Sequence, residues 1–321
     1  MGTVTQVVFF VPPGVHMLDM SGPGQAFLAA SQMLGNYRLS HCSFRVEITD
    51  STGLHLNRLS HYRQVDLQEG DYLFIPGFNS QLLKEDTYRR EWEGVYSWLR
   101  QQAEKGVNLC SVCIGAFVLA KAGLLNGRKC TTHWSLIPLL KKEFPAIDVQ
   151  EDVLFVRGEG KAADGPARAV IYTSAGISSG IDLALYLLEE AHGPLLAHKV
   201  ARELVVYFRR SDRHSQDSVY LNYRNHLHRG IHQLQDWLIG NLEQKVTIGQ
   251  MAEMVNMSSR NLTRTFKLQT GISINQYLTL LRLEMAGNLR FSPGITMRDI
   301  ASRCGFANER QLQRILKEQF N

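Results

Sequence analysis

What this 321-residue chain lacks narrows its class before any motif is read. No apolar run approaches the roughly 20 residues needed to span a bilayer, so no membrane partner is expected. Met1–Val11 has neither the basic flank nor the small-residue cleavage site of a signal peptide. Five cysteines, an odd count, do not make a disulfide framework. Cys42, Cys130 and Cys304 also lack metal-ligand spacing. These absences predict a cytoplasmic protein with reduced thiols, no metal and no cofactor. The hydrophobic share of 44% against 20% charged residues excludes a wholly disordered chain.

The first 220 residues also lack any charge excess. They carry 22 Lys+Arg against 23 Asp+Glu, whereas residues 221–321 carry 13 against 7. The net charge of +5 therefore arises entirely in the last third. A basic excess confined to one region points to a nucleic-acid partner for that region, with a merely solubilising face as the alternative.

The chain divides by pattern. Val4–Val11, Val46–Ile48, Tyr72–Ile75, Val107–Val112 and Val170–Thr173 read as short strands, with amphipathic stretches such as Arg90–Glu104 and Gly115–Ala122 between them. That alternation predicts a mostly parallel sheet covered on both faces by helices, with ligands at the carboxyl ends of the strands. Arg209–Ser218 is polar and aperiodic, the best linker candidate, and no strand signal follows it. The expected division is residues 1–210, a linker at 211–224, and an all-helical domain at 225–321.

The basic third contains a helix-turn-helix pattern twice. In the first copy Thr247 caps a helix with Ile248, Met251, Ala252 and Val255 inward, and Ser258 caps a second with Leu262 and Phe266 inward. In the second, Thr296 and Asp299 have capping-box spacing. Met297, Ile300, Ala301 and Cys304 repeat the apolar spacing 49 residues on; Asn308 and Gln311 cap a last helix with Leu312 and Leu316 inward. The second turn, through Gly305, is one residue longer. Arg260, Thr263, Arg264 and Lys267 lie on one outer stripe, and Arg310, Gln313, Arg314 and Lys317 form the same stripe in the second copy. Arg and Gln can pair with base edges in a major groove, and Lys suits phosphates. The intervening helix Ile274–Arg290 would be roughly 25 Å long, a spacer able to set two reading helices about one DNA turn apart.

Val246–Phe320 resembles the AraC/XylS DNA-binding domain. The resemblance rests on Met251-Ala252, Ser258–Phe266, Gly271, Tyr277-Leu278, Arg282-Leu283, Ile300-Ala301 and Cys304-Gly305-Phe306, with His232–Asn241 similar to the family's leading helix. It implies that Arg260, Thr263 and Arg264, then Glu309, Arg310 and Gln313, face bases, with Lys267 and Arg314 on the same stripes. Two departures predict weaker readout by the second motif. Gln311-Leu312 stands where a Ser or Thr and an aromatic are common, and no Gly-x-Ser-Pro-x-x-Tyr segment precedes Asn321.

In the first region Leu109–Phe117 runs from a strand into a helix through Cys113. A cysteine at such an elbow lies near backbone N–H groups and the positive helix end, which lower its pKa and make an anion site. A buried structural cysteine is the alternative. Cys110-x-x-Cys113 has thioredoxin spacing, but strand alternation would turn Cys110 away from the elbow.

Cys113–Gly127, Thr131-Thr132-His133-Trp134, Leu18–Pro23, Asp71–Gly77 and Thr173–Asp182 together resemble the PfpI-type class I glutamine amidotransferase-like superfamily. The resemblance covers about residues 4–209 and implies a flavodoxin-like, doubly wound α/β fold. Protease-like members place His after the nucleophilic Cys; here that position is Ile114, which cannot accept a proton. Asp19 and His133 are the remaining candidates to act on Cys113, with a structural His133 beside Trp134 as the alternative. Asp19 could also cap a helix beginning near Gly22.

A PfpI-like domain followed by an AraC-type domain resembles the GlxA-like transcriptional regulators. That order implies a homodimeric regulator, an activator by preference, binding promoter half-sites in double-stranded DNA and contacting RNA polymerase. A small-molecule effector, such as an amino acid or amine derivative, would be held by Asp19 and the elbow at Cys113, Ile114 and Gly115. The rival reading is a Cys113-dependent hydrolase or hydratase with a tethered helical domain.

Overall fold

A computed structural model describes residues 4–83, 89–158, 169–206, 216, 218–289 and 295–319. The chain forms two compact units, Met1–Gln216 and Asp217–Asn321. Arg209–Ser215 and Asp217 of the expected linker lie outside the described residues.

In the first unit β1 (Thr5–Phe10) leads into α1 (Met17–Leu34), then β2 (Tyr37–Ser43). A small hairpin follows, β3 (Glu47–Thr49) against β4 (His55–Asn57), and then β5 (Ser60–His61). Next come β6 (Tyr72–Ile75), α2 (Arg89–Glu104), β7 (Asn108–Val112) and α3 (Gly115–Lys121). The unit continues through β8 (Lys129–Cys130), α4 (Ile137–Glu143), β9 (Asp148–Val149), β10 (Phe155–Gly158) and β11 (Ile171–Ser174). It closes with α5 (Ser179–His192) and α6 (Pro194–Glu203).

The main sheet has the order β10-β11-β7-β6-β1-β2-β5, parallel throughout except for the β10–β11 pair. Successive side chains leave a strand on opposite faces, and the two apolar layers follow that rule. Val8, Phe10, Leu73, Ile75 and Leu109 enter the layer containing Trp92, Trp98 and Phe117. Val7, Phe9, Phe74 and Cys110 enter the layer containing Phe27, Leu183 and Leu187. The fold is thus the doubly wound α/β class expected.

Two differences from the strand reading have physical causes. β2 was absent from it because Arg38, Ser40 and His41 break the apolar pattern of a strand one place from the sheet edge. Val46–Ile48 was read as a strand among those of the parallel sheet. Glu47 and Ile48 instead pair antiparallel in the β3–β4 hairpin, with Ile48 alone of the three β3 residues buried.

The second unit is helical: α7 (Val219–Asn222), α8 (Arg229–Gly240), α9 (Ile248–Met254), α10 (Ser259–Thr270), α11 (Ile274–Leu289), α12 (Met297–Arg303) and α13 (Glu309–Gln319). Helix α11 serves two cores. Ile274, Tyr277 and Leu281 pack with Met251, Leu262 and Phe266, whereas Leu283 and Ala286 pack with Ile300, Cys304 and Leu312. Among the described residues, no helix is long and apolar enough to cross a membrane.

Candidate functional site

The carboxyl ends of β1, β6, β7 and β11 converge on Cys113. The chain turns there with φ of +56°, in the left-handed region that a side-chain-bearing residue seldom occupies. The turn is held by Cys113 N–H donating to Ser174 O (3.0 Å) and Thr132 Oγ1 donating to Cys113 O (2.8 Å). Two glycines make room for the side chain. A Cβ on Gly176, itself at φ +96°, would lie 2.3 Å from Cys113 Cβ; one on Gly77 would lie 2.1 Å from Asp19 Oδ2.

Asp19 is fully buried in the first turn of α1, which begins at Met17 rather than near Gly22. It therefore caps no helix at Gly22. Its Oδ1 accepts from Ile177 N–H at 2.5 Å. Oδ2 has no hydrogen-bond partner among the described residues and lies 3.5 Å from His16 Nδ1, which also has none. Sequence reasoning missed His16. Its one signal was its position three residues before Asp19, the N-cap to third-residue spacing that brings two side chains together at a helix start.

The thiol is not activated as the elbow alone would predict. Burial pushes the Cys113 pKa up to about 12, and the neighbouring Asp19 adds to the rise. The Ile114 N–H works in the other direction but is outweighed. Desolvation of a thiolate is the largest of these influences. Cys110 is fully buried in the same apolar layer that Cys113 borders, and all five cysteines are free, so Cys110 and Cys113 form no disulfide.

A cavity of about 630 Å³ opens above the elbow. Cys113, Ile114 and His133 line it, joined by Gly14, His16, Asp50, Ser51, Asn79, Ser135 and Ile177. Gly115 does not line it. A Cβ there would meet Ile75 O at 2.1 Å, so its place is against β6. His133 pairs through Nδ1 with Ser135 Oγ at 2.8 Å, and burial lowers its pKa despite the opposing pull of Asp19. Asp50, another buried carboxylate at the cavity, is engaged by Thr52 and Leu54. Gln216 was also missed by sequence reasoning. Its Nε2 donates to Val153 O (2.9 Å) and Thr132 O (3.1 Å), and Thr132 in turn holds the elbow.

The second unit carries two modules built alike. Thr247 and Gln250 form a capping box on α9, and Thr296 and Asp299 form one on α12. Ser258 accepts from Asn261 N–H, and Asn308 accepts from Gln311 N–H. The left-handed turn position is Asn256 in the first module and Gly305 in the second. Only glycine fits the latter, because a Cβ would lie 2.2 Å from Leu242 O. Arg282 on α11 donates to that same carbonyl (2.9 Å) and to Gln244 O (3.3 Å), tying the shared helix to the segment between α8 and α9.

On α10, Arg260, Thr263, Arg264 and Lys267 are exposed while Leu262 and Phe266 are fully buried. On α13, Arg310, Gln313 and Arg314 are exposed and Glu309 is half-buried; the side chain of Lys317 lies outside the described residues. Gln313 Nε2 donates to Glu309 Oε1 (2.9 Å), so two of the expected base-facing side chains on α13 engage each other. Thr263 donates to Ser259 O within its own helix.

A doubly wound α/β unit with a cysteine elbow, followed by paired helix-turn-helix modules, defines the class. The DJ-1/PfpI family model matches residues 5–190, and a helix-turn-helix domain model matches 251–321. The chain belongs to the DJ-1/PfpI family and carries an AraC-type helix-turn-helix domain.

It is 29% identical over 256 residues to the HTH-type transcriptional regulator CdhR of Pseudomonas aeruginosa, covering 79% of this chain and 70% of CdhR; a second such regulator is covered over 58% of its length. It is also 32% identical over 202 residues to an isonitrile hydratase of Pseudomonas putida, covering 62% of this chain and 77% of that enzyme. The crystal structure of an AraC family transcriptional regulator from Pseudomonas putida superposes with a TM-score of 0.51 at 18% identity, over 62% of this chain and 99% of that one; it shares the fold.

Proposed function

We propose that the chain is a transcriptional regulator of the AraC type, acting as an activator and a homodimer. Its DJ-1/PfpI unit senses a small metabolite, and its helical unit binds promoter half-sites. The observation that carries this reading is the pair of capped helix-turn-helix modules on one shared helix, α11, in the basic third of the chain. Arg260, Thr263 and Arg264 read bases from α10. Arg310 and Gln313 do so from α13, with Glu309 orienting Gln313. Lys267 and Arg314 hold phosphates.

The effector is an amino acid or amine derivative. Asp50 lines the cavity and Asp19 lies buried just behind its lining residues His16 and Ile177, an acidic pair that favours a cationic group there. The Ile114 amide at the elbow suits its carboxylate end. The contact of Gln216 with Thr132, one bond from the elbow, would pass a change at Cys113 to the segment leaving the first unit. An effector acts by binding one state of the protein better than the other.

The test is selection of sheared DNA from the source genome by the purified protein at two salt concentrations, with and without metabolite mixtures. Discrete fragments enriched at both salts support the reading. Capture that is diffuse and vanishes at the higher salt reduces it to phosphate attraction.

The second reading, a Cys113-dependent hydrolase or hydratase, is favoured by the similarity to the isonitrile hydratase. Against it stands the thiol, which burial and Asp19 keep protonated at neutral pH. Steady product formation by the wild type, lost in Cys113→Ala while DNA selection is retained, would establish it.

A further inference from the structure

Asp19 is fully buried, yet one of its two oxygens has no hydrogen-bond partner among the described residues. The nearby His16 Nδ1 is in the same condition. Ile177 N–H serves the other Asp19 oxygen, but a buried carboxylate oxygen left unpaired is costly, and such groups are ordinarily paired or bound to a cation. Cys113 Sγ completes the set: one donor atom from each of His16, Asp19 and Cys113 lies within 4.8 Å of the others.

We propose that His16, Asp19 and Cys113 form a binding site for a soft divalent transition-metal ion of the zinc type, with its fourth coordination position open to the cavity.

Geometry, charge and ligand chemistry support the assignment. Tetrahedral zinc, with bonds of about 2.0–2.3 Å, places its donors about 3.3–3.6 Å apart. The His16 Nδ1 to Asp19 Oδ2 separation of 3.5 Å already has that value. One carboxylate and one thiolate cancel a charge of +2, so the occupied site is neutral. Imidazole, carboxylate and thiolate together select zinc-like ions over magnesium or calcium, which prefer oxygen alone.

Binding exchanges the thiol proton for the metal, which leaves as one H⁺ per ion bound. A coordinating thiol is deprotonated outright despite burial. His16 and Cys113 line the cavity, as does His133, which leaves an entry path and room for a fourth ligand. Three protein ligands with an open fourth position are the pattern of sites where water or a small molecule coordinates directly. An amino acid, whose amine and carboxylate chelate, would then reach the metal and not Asp19 itself.

The site stands apart from the regulatory reading, since its test uses no DNA. Full-length protein, stripped with chelator and kept reduced, is titrated with Co²⁺ as the probe and then with Zn²⁺. The expected result is one equivalent of Co²⁺ with a thiolate-to-cobalt charge-transfer band, release of one proton, and displacement by Zn²⁺. Cys113→Ser should abolish the band. His16→Ala, at a side chain 36% exposed where folding is readily kept, should weaken binding by more than the roughly 10–100-fold typical of outer-shell changes. Absence of the band in the wild type, or a band and affinity that persist in both variants while their melting curves match the wild type, overturns the site.

Discussion

Around Cys113, loops after four strands and the first turn of α1 meet on one buried thiol, whereas Arg260, Thr263 and Arg264 stand exposed on a single helix. The first site exists because segments up to 158 residues apart touch, as Asp19 and Ile177 do. The second needs only a capped helix with one apolar face. The difference teaches where each site is vulnerable. The elbow is limited by space and desolvation, so substitutions there act through stability. The stripes on α10 and α13 are limited by side-chain identity, so substitutions there act through binding and leave the fold alone.

The steepest contrast between the units should appear with pH. The first unit buries four thiols, with Cys42, Cys113 and Cys130 each raised to about 12 chiefly by burial and Cys110 well above its usual 9. The second buries one, Cys304, raised to about 11. A thiol whose folded pKa exceeds its unfolded value contributes stability fully below pH 9. Above that the unfolded chain loses protons first, and the contribution falls by up to about 1.4 kcal/mol per pH unit per group until pH approaches 12. Denaturant unfolding of the full chain across pH 8–11, read by a probe in each unit, should show the first unit losing stability faster. Equal slopes would break the contrast.

Gly176→Val places a branched side chain on Cys113 at a φ suited to glycine. It should cost about 3 kcal/mol or more in the unfolding of the first unit. Arg264→Ala should leave the melting curve unchanged while weakening specific DNA binding by about 1–3 kcal/mol and relaxing base preference at one position. Gln313→Ala should weaken binding by less than Arg264→Ala in the same titration, because Gln313 is already engaged by Glu309. The reverse ranking would make α13 the stronger reader. The smallest effect is expected at the caps: Thr247→Ala and Thr296→Ala should each cost about 1 kcal/mol in thermal unfolding. Near-equality would confirm that the two modules are alike in construction despite their different turns.

Legibility in the sequence followed the range of the interactions involved. Thr247, Ser258, Thr296 and Asn308 were readable as caps because a cap and its partner lie within four residues. The strands at 72–75 and 107–112 were readable because central parallel strands are apolar on both faces. β2 was not, since its place near the sheet edge tolerates the polar residues that disguise it. At the elbow the residue types were legible and the environment was not. A cysteine before a helix reads as activated, and only the packing of Gly77, Gly176 and Asp19 around it reverses that inference.

By itself, then, the sequence determined what depends on neighbours along the chain: the α/β alternation, the paired helix-turn-helix modules with their exposed basic stripes, and the position of the cysteine elbow. Tertiary structure alone decided what depends on distance through space. It brought Cys113 to His16 and Asp19, set Gln216 beside Thr132, and seated Gly305 against Leu242. The physical reason is that hydrogen bonds and caps within a helix turn are encoded by spacing. The desolvation, charge pairing and steric fit that give a buried side chain its chemistry are properties of whatever the fold places around it.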